Sequence, residues 1–143
     1  AFAGRFAALG GEVFASCVSE QVSGLIAGRA MMADLAVVHS LRPNSFVFCS
    51  SDTIAHGALI EAKSRGLQIP DDIAVMGFGD QDFAGYIEPS LATIRVEREN
   101  LGRTAADAIL DRIQNVVHET PVFDVGFSVI ERSSVRDLNI GGR

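Results

Sequence analysis

The sequence predicts an α/β fold, a mostly parallel sheet flanked by helices, on three observations. Apolar residues make up 48% of the 143 residues and charged residues 21%, the balance of a globular chain with its own core. Helical and strand patterns alternate along the chain. Two short β-rich apolar runs, at residues 45–49 and 73–77, flank one helical stretch with short connections, as strand–helix–strand units between parallel neighbours do.

Taken in order, residues 2–9 read as a short helix stopped by Gly10 and Gly11, and residues 12–18 as a strand. Residues 25–38 are helical, with Leu25, Met32, Leu35 and Ala36 near one face. The 45–49 strand is apolar on both faces. Ser50, Ser51 and Asp52 then open a helix over 53–65, which Gly66 stops. Residues 67–72 turn back into the 73–77 strand. A strand at 91–96 precedes a long helix at 100–117, where Leu101, Ala105, Ile109, Ile113 and Val116 recur at helical spacing. Ala106, Leu110 and Val117 widen that stripe, which suits core packing or a subunit interface. Residues 122–125 and 128–131 each read as a strand, with a bend at Gly126, and Gly141 to Arg143 as a loose tail.

Several function classes are disfavoured. The net charge is −6, and the 12 Lys and Arg residues form no cluster, so this segment is not expected to bind duplex nucleic acid. No apolar run could span a bilayer. Ala1 to Gly10 contains no basic stretch followed by an apolar one, so no secretory leader is expected there, and the missing initiator Met suggests a boundary upstream. Cys17 and Cys49 sit in apolar surroundings, as buried free thiols of a reducing cytoplasm do. No metal site is expected, because there is no Cys-x-x-Cys and the three histidines lie far apart. Nucleophile-elbow, Walker A and dinucleotide glycine motifs are all missing, which argues against an enzyme and against a nucleotide cofactor.

Ligands of open parallel sheets bind outside the carboxyl ends of the strands. Ser50, Ser51 and Asp52 follow one strand here; Phe78, Gly79, Asp80, Gln81 and Asp82 follow the next. Hydroxyls, carboxylates and an amide beside Phe83 or Tyr86 suit a polyhydroxylated ligand, whose hydroxyls need donors and acceptors and whose carbon face packs on an aromatic ring. Each group also has a structural role open to it. Asp52 or Ser51 can cap the helix, Asp80 and Asp82 can form turns, and Arg5 can be a surface arginine.

A series of motifs goes further. Ser51-Asp52-Thr53-Ile54-Ala55-His56-Gly57-Ala58 is followed by Arg65-Gly66-Leu67-Gln68-Ile69-Pro70-Asp71-Asp72-Ile73-Ala74-Val75-Met76-Gly77-Phe78. Pro89 to Arg95 (PSLATIR), Leu101 to Ala106 (LGRTAA) and Ile130 to Ser134 (IERSS) come next, in order. Together, over about residues 44–134, they resemble the lactose/galactose-repressor (LacI/GalR) family of transcription regulators.

That resemblance implies a type I periplasmic-binding-protein-like fold of two lobes, a small sugar-type effector in the cleft, and a homodimer in the cytoplasm. Residues 1–143 would be a partial effector-binding domain, mostly its C-terminal lobe. Residues 97–117 would return to the first lobe and the dimer interface. A helix-turn-helix headpiece, the only contact with operator DNA, and most of the first lobe would lie upstream. The alternative is a periplasmic sugar-binding protein of a transport system. Ser51 matches a polar effector contact, Ser23 stands where many members have a stacking aromatic, and Arg5 is nearest to an effector-binding arginine. Gly79 replaces the Asp that accepts bonds from sugar hydroxyls, which removes a repulsive charge and favours an anionic sugar acid. Residues 77–82 with 88–92 resemble the family's gluconate-operon repressors. The candidate effector residues are therefore Ser51, Asp52, Gly79, Asp80, Asp82, Ser23 and Arg5.

Overall fold

The two apolar runs expected to be parallel neighbours are paired. In the computed structural model, which describes residues 2–18, 24–37, 41–42, 44–114 and 122–136, β1 (Ser45–Phe48) lies parallel to β2 (Ile73–Met76), with Ser45 opposite Ile73 and Phe48 opposite Met76. Around them lie α1 (Phe2–Ala8), α2 (Gly24–Val37) and α3 (Asp52–Ser64). They are followed by a 3₁₀ turn (Asp82–Gly85), β3 (Thr93–Val96), α4 (Arg98–Ile113) and β4 (Phe127–Ile130).

Beyond β2 the sheet continues through single contacts. Met76 bridges Ala92 in parallel, and the amides of Gly77 and Gly79 donate to Ala92 O and Ile94 O at 2.9 and 2.8 Å. β3 then pairs antiparallel with β4, Thr93 opposite Ile130. Ser134, fully buried, joins β2 to the residues leading into β3. Its hydroxyl donates to Val75 O at 2.7 Å and accepts from the Ala92 amide at 2.8 Å.

One face of this sheet carries the core. Ala55, Ala58, Leu59 and Ala62 recur along one side of α3 and pack with Met32 of α2, with Ile73 and Val75 of β2, and with Leu91. α3 stops as expected, with Gly66 at φ 79° just beyond its last turn. Against α2 it approaches backbone to backbone. A Cβ on Gly28 would stand 2.0 Å from Ile54 O, and one on Gly57 would stand 2.1 Å from Leu25 O. Two glycines set this crossing.

Some expectations change. Among the described residues, 12–18 pair with no strand. They face β1 across a recess of about 690 Å³, lined by Phe14, Met31, Phe46 and Phe48 among others. Their alternating pattern suits a strand, but β preference is a fit to a neighbour, and no ladder forms here. Residues 122–125 are likewise irregular, and pairing begins at Phe127. The long helix starts at Arg98 and ends at Ile113; residues 116 and 117, expected in it, lie outside the described residues. None of its residues is buried, and Leu101, Ile109, Leu110 and Ile113 are 48–71% exposed. Its apolar stripe therefore does not pack into this chain's core.

The helix crossing yields a test. Gly57→Ala should lower the unfolding free energy by about 1–3 kcal/mol, because the added methyl meets backbone that cannot give way. Gly102→Ala on α4, with nothing near the added atom, should be neutral or gain up to about 1 kcal/mol. Urea unfolding of both variants checks this, and equal effects would contradict the close approach.

Candidate functional site

The polar loops after β1 and β2 meet at Asp52. Ser51 caps α3, with extended backbone and its Oγ accepting from the Ile54 amide at 3.3 Å. Asp52 is thereby free of that role and turns inward. It is fully buried. Its Oδ1 accepts from the Thr93 hydroxyl and its Oδ2 from the Gln81 amide, both at 2.6 Å, while its own amide donates to Phe78 O at 3.1 Å. Thr93 Oγ1 accepts in turn from the Asp80 amide at 3.3 Å. A carboxyl group withdrawn from water needs such partners, since an unsatisfied one costs several kcal/mol. Gly77 makes room for it: a Cβ there would lie 2.2 Å from Oδ1.

The loop that Asp52 holds has two left-handed residues, Gly79 at φ 122° and Asp80 at φ 49°. Gly79 is thus required by backbone shape alone, since a Cβ there would meet only Asp52 Oδ2, at an ordinary 3.9 Å. The Asp80 carboxylate takes Arg95 Nε at 2.6 Å and Arg132 Nη2 at 2.8 Å. Arg132 also donates to Leu91 O at 2.7 Å. Arg98, the first residue of α4, donates from Nη2 to Gly79 O and to Asp80 O.

Five candidates, Ser51, Asp52, Gly79, Asp80 and Asp82, therefore come together at the carboxyl ends of β1 and β2. Ser51 is half-buried, and Asp82 is exposed at the start of the 3₁₀ turn. The carboxyl groups of Asp52 and Asp80 are engaged within the chain. Exposed Ser50, Gln81, Phe78 and Tyr86 complete the rim. Phe83 packs on His56, ring centres 5.3 Å apart. Arg5 stands exposed on α1, and Ser23 lies outside the described residues. Sequence reasoning missed Thr93, Arg95 and Arg98, whose partners are 13 to 41 residues away. The one available signal was that three arginines lie in β3 (Arg95), just after it (Arg98) and just after β4 (Arg132) in an acidic chain.

Both cysteines are free thiols, Cys49 buried and Cys17 partly buried. Burial first, and the Asp52 charge second, push the Cys49 thiol up to about 12, so it is no nucleophile at neutral pH. Among the described residues no group of three His, Cys, Asp or Glu side chains could hold a metal ion.

Asp80 gives the site an acid-sensitive element. Burial pulls its pKa up, but the hydrogen bonds and charges of Arg132 and Arg95 outweigh burial and hold it below the usual carboxylate range. An unfolded Asp titrates near 3.9, so at lower pH the unfolded chain binds the proton more readily than the folded one. The stabilisation is complete above that value and is lost as pH falls through the folded value. The difference in urea midpoint between the parent chain and Asp80→Asn should thus be largest at neutral pH and shrink on acidification below about 5. A difference independent of pH would contradict the ion pairs.

Comparison with known proteins places this geometry. The family model of the periplasmic binding protein-like domain matches residues 5–135. The HTH-type transcriptional repressor PurR of Escherichia fergusonii is 43% identical over 109 residues, 76% of this chain and 31% of that protein. A LacI-type transcription regulator from Bifidobacterium animalis subsp. lactis superposes with a TM-score of 0.73 at 29% identity, covering 94% of this chain and 48% of that one. A LacI family regulator from Enterococcus faecium with bound ribose gives 0.65 at 30% identity, covering 80% and 41%. The chain thus spans about a third of the curated repressors it matches and about half of the solved regulators. The matched relatives are repressors, a non-enzymatic class, as the missing catalytic motifs led one to expect. With the parallel β1–β2 pair, the polar loops at its carboxyl end and these matches, the chain belongs to the periplasmic binding protein-like domain family, on the branch of the LacI/GalR transcription regulators.

Proposed function

We propose that this chain is the effector-sensing part of a DNA-binding transcription repressor, and that its effector is a small sugar acid. The observation that carries the reading is the convergence of Ser50, Ser51 and residues 79–82 on one rim at the carboxyl ends of β1 and β2. Regulators of this family bind small-molecule effectors, dimerise and bind operator DNA. In this reading the chain forms mostly the second lobe, and the effector lies between the rim and a first lobe elsewhere in the protein. A headpiece outside this chain contacts the operator, in the cytoplasm. The exposed apolar residues of α4 and β4, Phe127 and Val129 among them, support a covering first lobe or second subunit. The repressor names of the relatives favour this over a transport-type binding protein.

The sugar-acid class is supported by Gly79, where a carboxylate is missing, and by three arginines around the Asp80 loop. Among the related structures, the ribose complex is consistent with a polyhydroxylated ligand. The PurR name of curated relatives such as that of Escherichia fergusonii favours a second reading, a purine-related effector.

Calorimetry on the full-length protein with D-gluconate, D-glucose and a purine base separates them. Gluconate should bind at least tenfold tighter than glucose, a difference of about 1.4 kcal/mol. Glucose tenfold tighter than gluconate would sink the sugar-acid reading, and a purine base tighter than both would establish the second.

A further inference from the structure

All four polar atoms of Asp80 are bonded by the stretch that runs from β3 to just past β4. Its amide donates to Thr93 Oγ1 at 3.3 Å, and its carbonyl accepts from Arg98 Nη2 at 2.9 Å. Its Oδ1 accepts from Arg132 at 2.8 Å and its Oδ2 from Arg95 at 2.6 Å. Thr93 and Arg95 lie in β3, Arg98 opens α4, and Arg132 follows β4.

The backbone at Asp80 is left-handed, with φ 49°. Aspartate enters this region more readily than most residues, yet seldom. A residue persists there when its surroundings over-determine it, and bonds from four different residues do so here. A loop pinned in this way does not take up a displacement by rotating its own backbone. The residues on either side of Asp80 are bonded too. Arg98 donates to Gly79 O, and the Gln81 amide donates to Asp52 Oδ2 at 2.6 Å. The rim loop is thus held to the start of α3 on one side and to the start of α4 on the other. Since α4 buries none of its residues in this chain, core packing does not oppose its moving with the loop.

We infer that Asp80 is a coupling residue: it ties the effector rim to the head of α4, so that a shift of the rim on ligand binding moves α4 instead of being absorbed in the loop. Arg98 carries the link to α4, while Arg95 and Arg132 hold the Asp80 carboxylate from β3 and from beyond β4. This rests on the reading of the rim as the effector site. Coupling between two places is reciprocal, so a change at either end is felt at the other.

Amide hydrogen exchange on the full-length protein without ligand, resolved at single amides, tests the link from both ends. Asp80→Asn keeps a residue that accepts left-handed backbone but removes the charge from both ion pairs. It should speed exchange about tenfold at Leu101, whose amide donates to Glu97 O in the first turn of α4. Arg98→Gln should speed the Asp80 amide by a similar factor. The Cys49 amide, bonded to Met76 O in the core, should keep the parental rate in both variants. Leu101 unmoved in Asp80→Asn, or Asp80 unmoved in Arg98→Gln, would overturn the coupling. Equal acceleration at Cys49 would mean a general loss of stability and overturn it too. If Asp80→Asn does not fold, Arg95→Gln, at an exposed side chain on the same carboxylate, is read at Leu101 in the same way. Saturating D-gluconate on the parent is the second arm. Binding seen by calorimetry should change Leu101 exchange by about threefold or more. Binding with Leu101 exchange unchanged would overturn the transmission and leave the effector reading standing. No binding would overturn the sugar-acid reading, and the ligand-free comparison would still decide the coupling.

Discussion

Among the described residues the interior contains one carboxyl group that water does not reach, that of Asp52, and burying it obliges the surrounding chain to supply partners. The Asp52 carboxyl group obtains them from two directions, the hydroxyl of Thr93 at the start of β3 and the amide of Gln81 in the loop after β2, and the Asp52 amide adds a main-chain bond to Phe78 O. None of these elements is adjacent to it in sequence. The need to satisfy one residue therefore fixes the start of α3, the 77–82 loop and the edge of β3 relative to each other. Leaving such a group unpaired costs far more than a typical hydrogen bond contributes. The candidate effector rim is built on that knot.

Fixing the rim from beneath has a consequence for ligand recognition. The side chains that look most like sugar-binding acids, Asp52 and Asp80, face inward or pair with arginines. What remains outward is hydroxyl, amide and aromatic, bordered by Asp82 and by the guanidinium of Arg98. A loop rigidified by internal bonds recognises its ligand without first being ordered by it. In the proposed reading, acidity in the ligand meets the arginine side of the rim, while hydroxyls meet Ser50, Gln81 and Asp82.

Much of this was legible in the sequence, for reasons that can be named. Residues 45–49 and 73–77 read as strands because a strand covered on both faces is apolar throughout, and the helix between them closes with a glycine where left-handed backbone is needed. The rim was placed from the rule that parallel sheets bind at carboxyl ends. Pairing at a distance was not legible. Residues 12–18 have a strand's alternation but no ladder, and α4 has an apolar stripe but no core contact within this chain. The competing caps, Ser51 and Asp52, were resolved only by coordinates. The motif residues gained meaning in three dimensions: Asp52, Gly77, Thr93, Arg132 and Ser134, scattered over 83 positions, all serve to join β2, β3 and the helix ahead of them.

The central claim, that the Asp52 carboxyl group holds the effector rim, is tested most directly by hydrogen exchange at the Gln81 amide. Gln81 is an exposed residue in a loop, and an amide there ordinarily exchanges through small local openings. Bonded to a buried carboxyl group, it should instead be protected to nearly the level of a core amide such as that of Val75, which donates to Ser134 O. Exchange at the rate of an open-loop amide, with Val75 still protected, would contradict the account.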